Sequence, residues 1–204
     1  MAKPQSTGVQ YEGGFGEPAI EAARAFRAAM GAMARPGTIE IVSGASAPLP
    51  LSPAAATLVL VLCDPDTGIS LHGALDREPI RQWIAFHTSA PLVAPADAVF
   101  AIGHWDDLQP LNRFAIGSSE YPDRSCTLIV ERDALANEGA VLTGPGIKET
   151  ARLNLPHAEA FTANRRLFPQ GFDCFFTAAE RVAALPRSTH VSFEAVATPD
   201  VEVV

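Results

Sequence analysis

Cysteine is scarce in this sequence of 204 residues, and the few cysteines present form no recognisable framework. Cys63, Cys126 and Cys174 are far apart, form no CxxC pair and each lie in an apolar stretch. Buried free thiols have this setting. An odd number of widely spaced cysteines argues against a disulfide scaffold or a thiolate zinc site, and it favours a reducing compartment. We therefore expect a cytoplasmic protein.

Lysine is almost absent as well, because Lys3 and Lys148 are the only lysines among 15 basic residues. Neither stands in the Gly-Lys-Ser/Thr setting of a phosphate-binding Walker A loop. A pyridoxal phosphate enzyme needs a lysine for its Schiff base, and Lys148 lies in a polar context that is typical of exposed residues. A pyridoxal phosphate enzyme is therefore the least favoured class of function, and no cofactor is expected.

Metal-ligand spacing is missing among the histidines, since none of the five lies four residues from another and none has a cysteine nearby. No metal site is therefore expected. The glycine pattern of a Rossmann fold is also lacking, because Gly144-Pro145-Gly146 has no third glycine. The run from Gly117 to Tyr121 does not end in glycine, so it is not a nucleophile elbow.

Long hydrophobic runs and positive charge are both in short supply. The most apolar segment, residues 54–63, is far shorter than the roughly 20 residues that cross a bilayer. Residues 1–16 contain no signal-peptide core. A net charge of -8 disfavours nucleic acid and anionic membrane as partners. The composition, 48% hydrophobic, predicts a soluble chain with one full-sized core.

Helix and strand signals follow one another along the chain, which predicts an α/β class, a three-layer α/β/α sandwich with a mixed sheet. We expect a flexible arm over 1–16, one domain over 17–196 and an acidic tail over 197–204. In the third predicted helix, Asp76 is the expected N-cap. The predicted helices are 17–35, 54–63, 77–86 and 157–164, and the predicted strands are 38–42, 69–71, 99–102, 126–130, 140–143, 172–177, 182–185 and 191–196.

The first helix carries an apolar stripe at helical spacing. Phe15, Ile20, Phe26 and Met30 define it, and alanines on the same helix permit close packing. Such a stripe is more often core than interface, so we expect it to be buried.

Pro186-Arg187-Ser188-Thr189-His190 is the most chemically suggestive cluster. One reading is a site for phosphate oxygens, because guanidinium forks and hydroxyl donors suit that geometry. The other, which we favour, is a turn in which Arg187 pairs with a core carboxylate such as Asp173.

Two further loops admit a functional and a structural reading. Gly144 and Gly146 allow a tight turn that approaches a ligand or a subunit, with phosphate cradling by backbone amides as the sharper alternative. Glu120, Tyr121 and Arg124, with Asp123, form either a site or a surface pairing network.

Taken in order, these polar clusters resemble the PhnH family, a subunit of the bacterial carbon-phosphorus lyase system for phosphonate use. The resemblance covers about residues 15–193, and its last three motifs are the most specific. The motifs are Arg35-Pro36-Gly37, residues 117–124, 142–147 and 167–173, and Leu185-Pro186-Arg187-Ser188-Thr189-His190-Val191.

The resemblance implies a fold similar to the large domain of pyridoxal-phosphate-dependent transferases, without that cofactor. It implies a homodimer that joins PhnG, PhnI and PhnJ in a core complex. With PhnG, PhnI and PhnL, the family is needed to transfer ribose triphosphate from ATP to an alkylphosphonate with displacement of adenine. The resemblance identifies no catalytic residue in this chain, so it implies an accessory subunit with little activity alone. The alternative is a stand-alone enzyme or binding protein for a phosphate ester or nucleotide, using Arg187, Thr189 and His190.

Overall fold

The computed structural model describes residues 12–192, which form four α-helices and nine β-strands. The helices are α1 Pro18–Ala34, α2 Pro53–Leu62, α3 Glu78–Thr88 and α4 Ala158–Arg166. The strands are β1 Glu40–Ile41, β2 Ile69–Leu71, β3 Phe100–His104, β4 Thr127–Glu131, β5 Ala140–Thr143, β6 Ala151–Leu153, β7 Asp173–Ala178, β8 Arg181–Leu185 and β9 His190–Ser192. None of the helices in this part of the chain is long and apolar enough to cross a membrane.

The principal sheet has six strands in the order β1-β8-β7-β4-β3-β2. Strands β2, β3, β4 and β7 are mutually parallel, whereas β8 and β1 run antiparallel to their neighbours. A second, antiparallel sheet has the order β6-β5-β9. The expected α/β class and mixed sheet are confirmed, and the second sheet is an addition to them.

Alternate residues of the central strands separate two hydrophobic cores, because successive side chains of a strand point to opposite faces. On β4, Ile129 packs in the core beneath α1, α2 and α3. Its neighbours Leu128 and Val130 pack in the other core, beside Phe161 of α4 and Leu142 of β5. The third layer is therefore built from one helix and a small sheet, which differs from the purely helical layer that the sequence predicted.

Helix α1 buries a different face from the one that its sequence predicted. Ala25, Ala29 and Ala32 are buried against the core. Phe26 is 47% exposed, and Ile20 and Met30 are exposed too. The expectation that this stripe packs in the core is wrong for Ile20, Phe26 and Met30. Small side chains let a helix approach its neighbours closely, so the alanine face faces α2 and β8 and the large residues remain outside.

Two local expectations also need correction. Helix α3 begins at Glu78, and the residue at its N-cap position is Arg77, without a side-chain cap. Asp76 pairs instead with Arg81, at 2.6 Å between Oδ1 and Nε. Strand β6 was not predicted, because Ala151–Leu153 is short and follows a polar segment.

The expected arm and tail lie largely outside the described residues, the arm over 1–11 and the tail entirely. The described end of the arm contacts the domain: Glu12 O accepts from Trp83 Nε1 at 3.0 Å, and Gly13 O accepts from the Ser46 amide at 2.8 Å. Phe15 packs against the helical core. The predicted strand 191–196 is described only as far as Ser192.

Candidate functional site

Arg187 and Asp173 form the most extensively bonded ion pair in residues 12–192. Asp173 opens β7, and Arg187 follows β8 directly across the hairpin. Arg187 Nη2 lies 2.6 Å from Asp173 Oδ2, and the Arg187 amide donates to Asp173 Oδ1 at 2.7 Å. The side chains are 13% and 24% exposed. The favoured reading, in which Arg187 pairs with Asp173, agrees with this geometry.

The remaining donors of Arg187 are also in use. Nη1 donates to Pro122 O at 2.7 Å, and Nη2 donates to the hydroxyl of Ser125. A fork engaged on all sides has no free donor for a substrate phosphate. The pair also lies where the parallel strands β4 and β7 begin, whereas ligands of open α/β sheets bind beyond their carboxyl ends. Arg187 thus holds the 118–125 loop against the sheet.

The other residues of that loop lie at the surface. The Arg124 guanidinium stacks on the Tyr121 ring at 4.2 Å, and the Tyr121 amide donates to Ser118 Oγ at 3.0 Å. Glu120 is exposed. The loop therefore meets Arg187 through the Pro122 carbonyl oxygen and the Ser125 hydroxyl, and Arg124 stacks on Tyr121 at its surface.

Gly144 and Gly146 shape a turn that packs within the chain. Gly146 has φ +81°, and a Cβ there would overlap the carbonyl oxygen of Ala34 at the end of α1. The Gly144 carbonyl accepts from the Ile147 amide at 3.1 Å. Next to this turn, Arg35 pairs with Glu40 at 3.0 Å, with its side chain 61% exposed. The close approach allowed by the glycines is thus made to α1.

Thr189 and His190 do not share a site with Arg187. The Thr189 hydroxyl is buried and has no hydrogen-bond partner among residues 12–192. His190 opens β9, is exposed, and has Nε2 3.3 Å from Arg165 Nη2. Because the Arg187 guanidinium bonds to Asp173, Pro122 and Ser125 while His190 lies against Arg165, the structure does not assemble the predicted three-residue phosphate cluster.

A cleft that the sequence did not predict lies beyond the carboxyl ends of β3 and β4, and we call it the carboxyl-edge cleft. Its volume is about 440 Å³. Polar and charged residues line it: His104 ends β3 and Asp106 follows that strand, and Glu131 ends β4, with Arg132 and Asp133 after it. Asn154 completes the wall, and it fixes the loop after β4 by accepting from the Ala136 amide at 2.9 Å. Polar residues directly after two buried strands were the available signal.

Glu131 is the buried acid of this cleft, and it is 5% exposed. Its Oε1 accepts from the Ser52 amide at 2.7 Å, and its Oε2 accepts from the Thr177 hydroxyl at 3.0 Å. Burial raises the pKa of Glu131, and these hydrogen bonds offset that rise only in part. Because both oxygens are engaged, Glu131 anchors the N-terminus of α2 to the sheet.

The three cysteines are buried thiols, whereas Lys148 lies at the surface. Burial raises the pKa of Cys63 and of Cys126 to about 12, which keeps these thiols protonated. Within the described part of the chain, no three His, Cys, Asp or Glu residues lie close enough to hold a metal ion.

Fold and geometry together define an α/β protein whose most distinctive motifs serve packing, with polar clefts at its edges. A family model described as bacterial phosphonate metabolism protein (PhnH) matches residues 13–192. The chain is also 42% identical over 193 residues to the alpha-D-ribose 1-methylphosphonate 5-triphosphate synthase subunit PhnH of Rhizobium meliloti (strain 1021). That match covers 90% of this chain and 96% of the relative. The chain belongs to the PhnH family, as its motifs indicated.

Proposed function

We propose that this chain is a subunit of an alpha-D-ribose 1-methylphosphonate 5-triphosphate synthase and acts in the breakdown of organic phosphonates. The observation that carries the proposal is the 42% identity to a subunit of that name over nearly the full length of both chains. In the reaction, ribose triphosphate passes from ATP to an alkylphosphonate and adenine is released. The partners are PhnG, PhnI and PhnJ type subunits in the core complex, with PhnL needed for the transfer.

The role of this subunit is accessory. Arg187, the strongest candidate for binding a phosphate in the sequence, is bonded to Asp173, Ser125 and Pro122. Glu131, the buried acid of the carboxyl-edge cleft, holds α2 in place. We therefore expect little or no transfer activity from the isolated chain, which works in the cytoplasm as part of the complex.

The subunit forms a homodimer through the exposed face of α1. Ile20, Phe26 and Met30 leave three large apolar side chains on that face, and contiguous exposed apolar surface marks interaction sites.

We also propose that the fold is similar to the large domain of pyridoxal-phosphate-dependent transferases. An experimental structure of the dimer, compared with those enzymes, tests this similarity.

Co-expression with the partner subunits tests the proposed function. We expect the chain to co-purify with PhnG, PhnI and PhnJ, and adenine release from ATP and methylphosphonate, with PhnL added, to require it. The isolated chain serves as the control and should release no adenine. If the partners assemble and release adenine equally well without this chain, the proposal is wrong.

A further inference from the structure

A second cleft lies between the last turn of α4 and β9, away from the carboxyl-edge cleft. Its volume is about 390 Å³, within the range of small-molecule sites. Among residues 12–192, its lining contains no carboxylate, although the chain carries a net charge of -8. The lining residues are Thr162, Arg165, Arg166, Phe168, His190 and Val191.

The nitrogen donors of this cleft are underused. The Nε of Arg165 is buried and has no hydrogen-bond partner in residues 12–192. Its Nη2 has His190 Nε2 at 3.3 Å. Neither Arg165 nor Arg166 is paired with a carboxylate in the described part of the chain. Arg187 differs in this respect, since its guanidinium is engaged by an acid, a hydroxyl and carbonyl oxygens.

Helix electrostatics explains only part of this arrangement. Arginines in the last turn of a helix complement the partial negative charge of its C-terminus, which accounts for Arg165 and Arg166. It does not account for His190, which comes from β9, or for the buried donor without an acceptor. The Arg165 guanidinium also lies 4.8 Å from the Phe168 ring centre, so its plane is held in position.

We propose that this cleft binds a small molecule through a phosphoryl or phosphonyl group. Arg165 and Arg166 donate to the oxygens of the PO₃ group, while His190 Nε2 accepts from Arg165 Nη2 and so helps to hold that guanidinium in place. Two cations without a paired carboxylate match a doubly charged PO₃ group better than a singly charged carboxylate. Phe168 and Val191 provide apolar surface for the organic part of the ligand. The assignment rests on the cleft itself and does not depend on the proposed function.

Calorimetric titration of the full chain at low ionic strength tests the site with orthophosphate, methylphosphonate and adenosine 5′-monophosphate. We expect saturable binding of at least one probe. Arg165→Gln and Arg166→Gln should each weaken it by about tenfold or more, since each removes a charged hydrogen-bond donor. Arg77→Gln is the charge-matched control, because Arg77 is exposed at the start of α3 in the opposite layer, and it should bind like the parent chain.

Equal affinity for orthophosphate and methylphosphonate means that the site reads the PO₃ group alone. Tighter binding of the nucleotide, lost in Phe168→Ala, means that the organic part is read as well. Either result supports the proposal. It is overturned if no probe gives saturable heat up to about 10 mM, or if both glutamine variants bind as the parent does.

Assembly separates this proposal from the proposed function. An Arg165→Gln/Arg166→Gln chain that binds no probe yet still joins the partner subunits identifies the cleft as a ligand site. If the parent chain binds no probe and the double variant fails to join the partners, the cleft is a protein interface and the ligand proposal is wrong. Failure of the parent chain itself to assemble contradicts only the proposed function, because the titration uses the isolated protein.

Discussion

Two acids, Asp173 and Glu131, hold distant segments of this protein together in different ways. Asp173 is paired with a cation, so its charge is compensated by Arg187 at 2.6 Å. Within residues 12–192 no cation is hydrogen-bonded to Glu131, which is held by an amide and a hydroxyl in a buried setting. The stability that Asp173 contributes should therefore depend on the presence of Arg187, and the stability that Glu131 contributes should depend on pH.

Removal of Arg187 should cost far more stability than removal of Arg35. We expect Arg187→Ala to lower the free energy of unfolding by about 3 kcal/mol, because it leaves a partly buried carboxylate without its cation. Arg35→Ala, which breaks a largely exposed pair, should cost less than about 1 kcal/mol. Urea unfolding of both variants measures the difference, and equal losses would contradict the structural role of Arg187.

Glu131→Gln should change how stability varies with pH. Burial raises the pKa of Glu131, so the folded chain keeps a proton that the unfolded chain releases between the usual and the raised value. Stability of the parent chain therefore falls as pH rises through that window. Glutamine can accept from the Ser52 amide and donate to the Thr177 oxygen without ionising.

The free energy of unfolding of Glu131→Gln relative to the parent should therefore rise with pH across the window and level off above it. Urea titrations at a series of pH values from about 4 to 8 check this. Parallel pH profiles for the two proteins would show that Glu131 does not carry the expected proton.

At the scale of elements, close approach is controlled by small residues. Ala25, Ala29 and Ala32 bring α1 onto its neighbours. Gly146 brings the turn after β5 onto the end of the same helix. The C-terminus of α1 is thus fixed from two sides, which places Arg35 at the surface beside Glu40.

Gly146→Ala should be more damaging than Gly139→Ala. Both glycines have positive φ, +81° and +77°, so each substitution should cost about 1 kcal/mol of backbone strain. At Gly139 the nearest atoms lie 3.7 Å from an added Cβ, whereas at Gly146 the Cβ overlaps backbone. Gly146→Ala should therefore lose about 1–3 kcal/mol more unfolding free energy than Gly139→Ala, and a similar loss in both would argue against tight packing of the turn on α1.

For the whole molecule, the exposed face of α1 is the surface from which we expect self-association. The parent chain should sediment at twice its mass of 21.5 kDa. Phe26→Gln/Met30→Gln should raise the dimer dissociation constant by at least about tenfold, because it removes apolar surface from both copies. Phe168→Gln is the control, since Phe168 is half exposed in the opposite layer; an unaltered dimer in the double variant would place the interface elsewhere.

Much of the secondary structure followed from local chemistry. The predicted helix over 54–63 forms as α2, with Ser52 Oγ accepting from the Ala55 amide at 3.1 Å at its N-cap. The predicted strands over 172–177 and 182–185 form β7 and β8, which pair as a hairpin. The three cysteines are buried free thiols, also as predicted. Strand β6 escaped prediction because three residues of mixed polarity carry no periodic signal.

The sequence by itself determined the family and most of the order of the elements, and it favoured the pairing of Arg187 with Asp173, since motifs, caps and complementary charges are local properties. Only the tertiary structure decided which face of α1 is buried, because periodicity gives the spacing of apolar residues and packing selects the face. The structure also decided that His190 meets Arg165 while Arg187 faces the 118–125 loop. Arg187 and His190 are close in sequence but lie in different surroundings, because β8 pairs in the principal sheet and β9 pairs in the second sheet. Such strand pairing depends on residues that are distant along the chain.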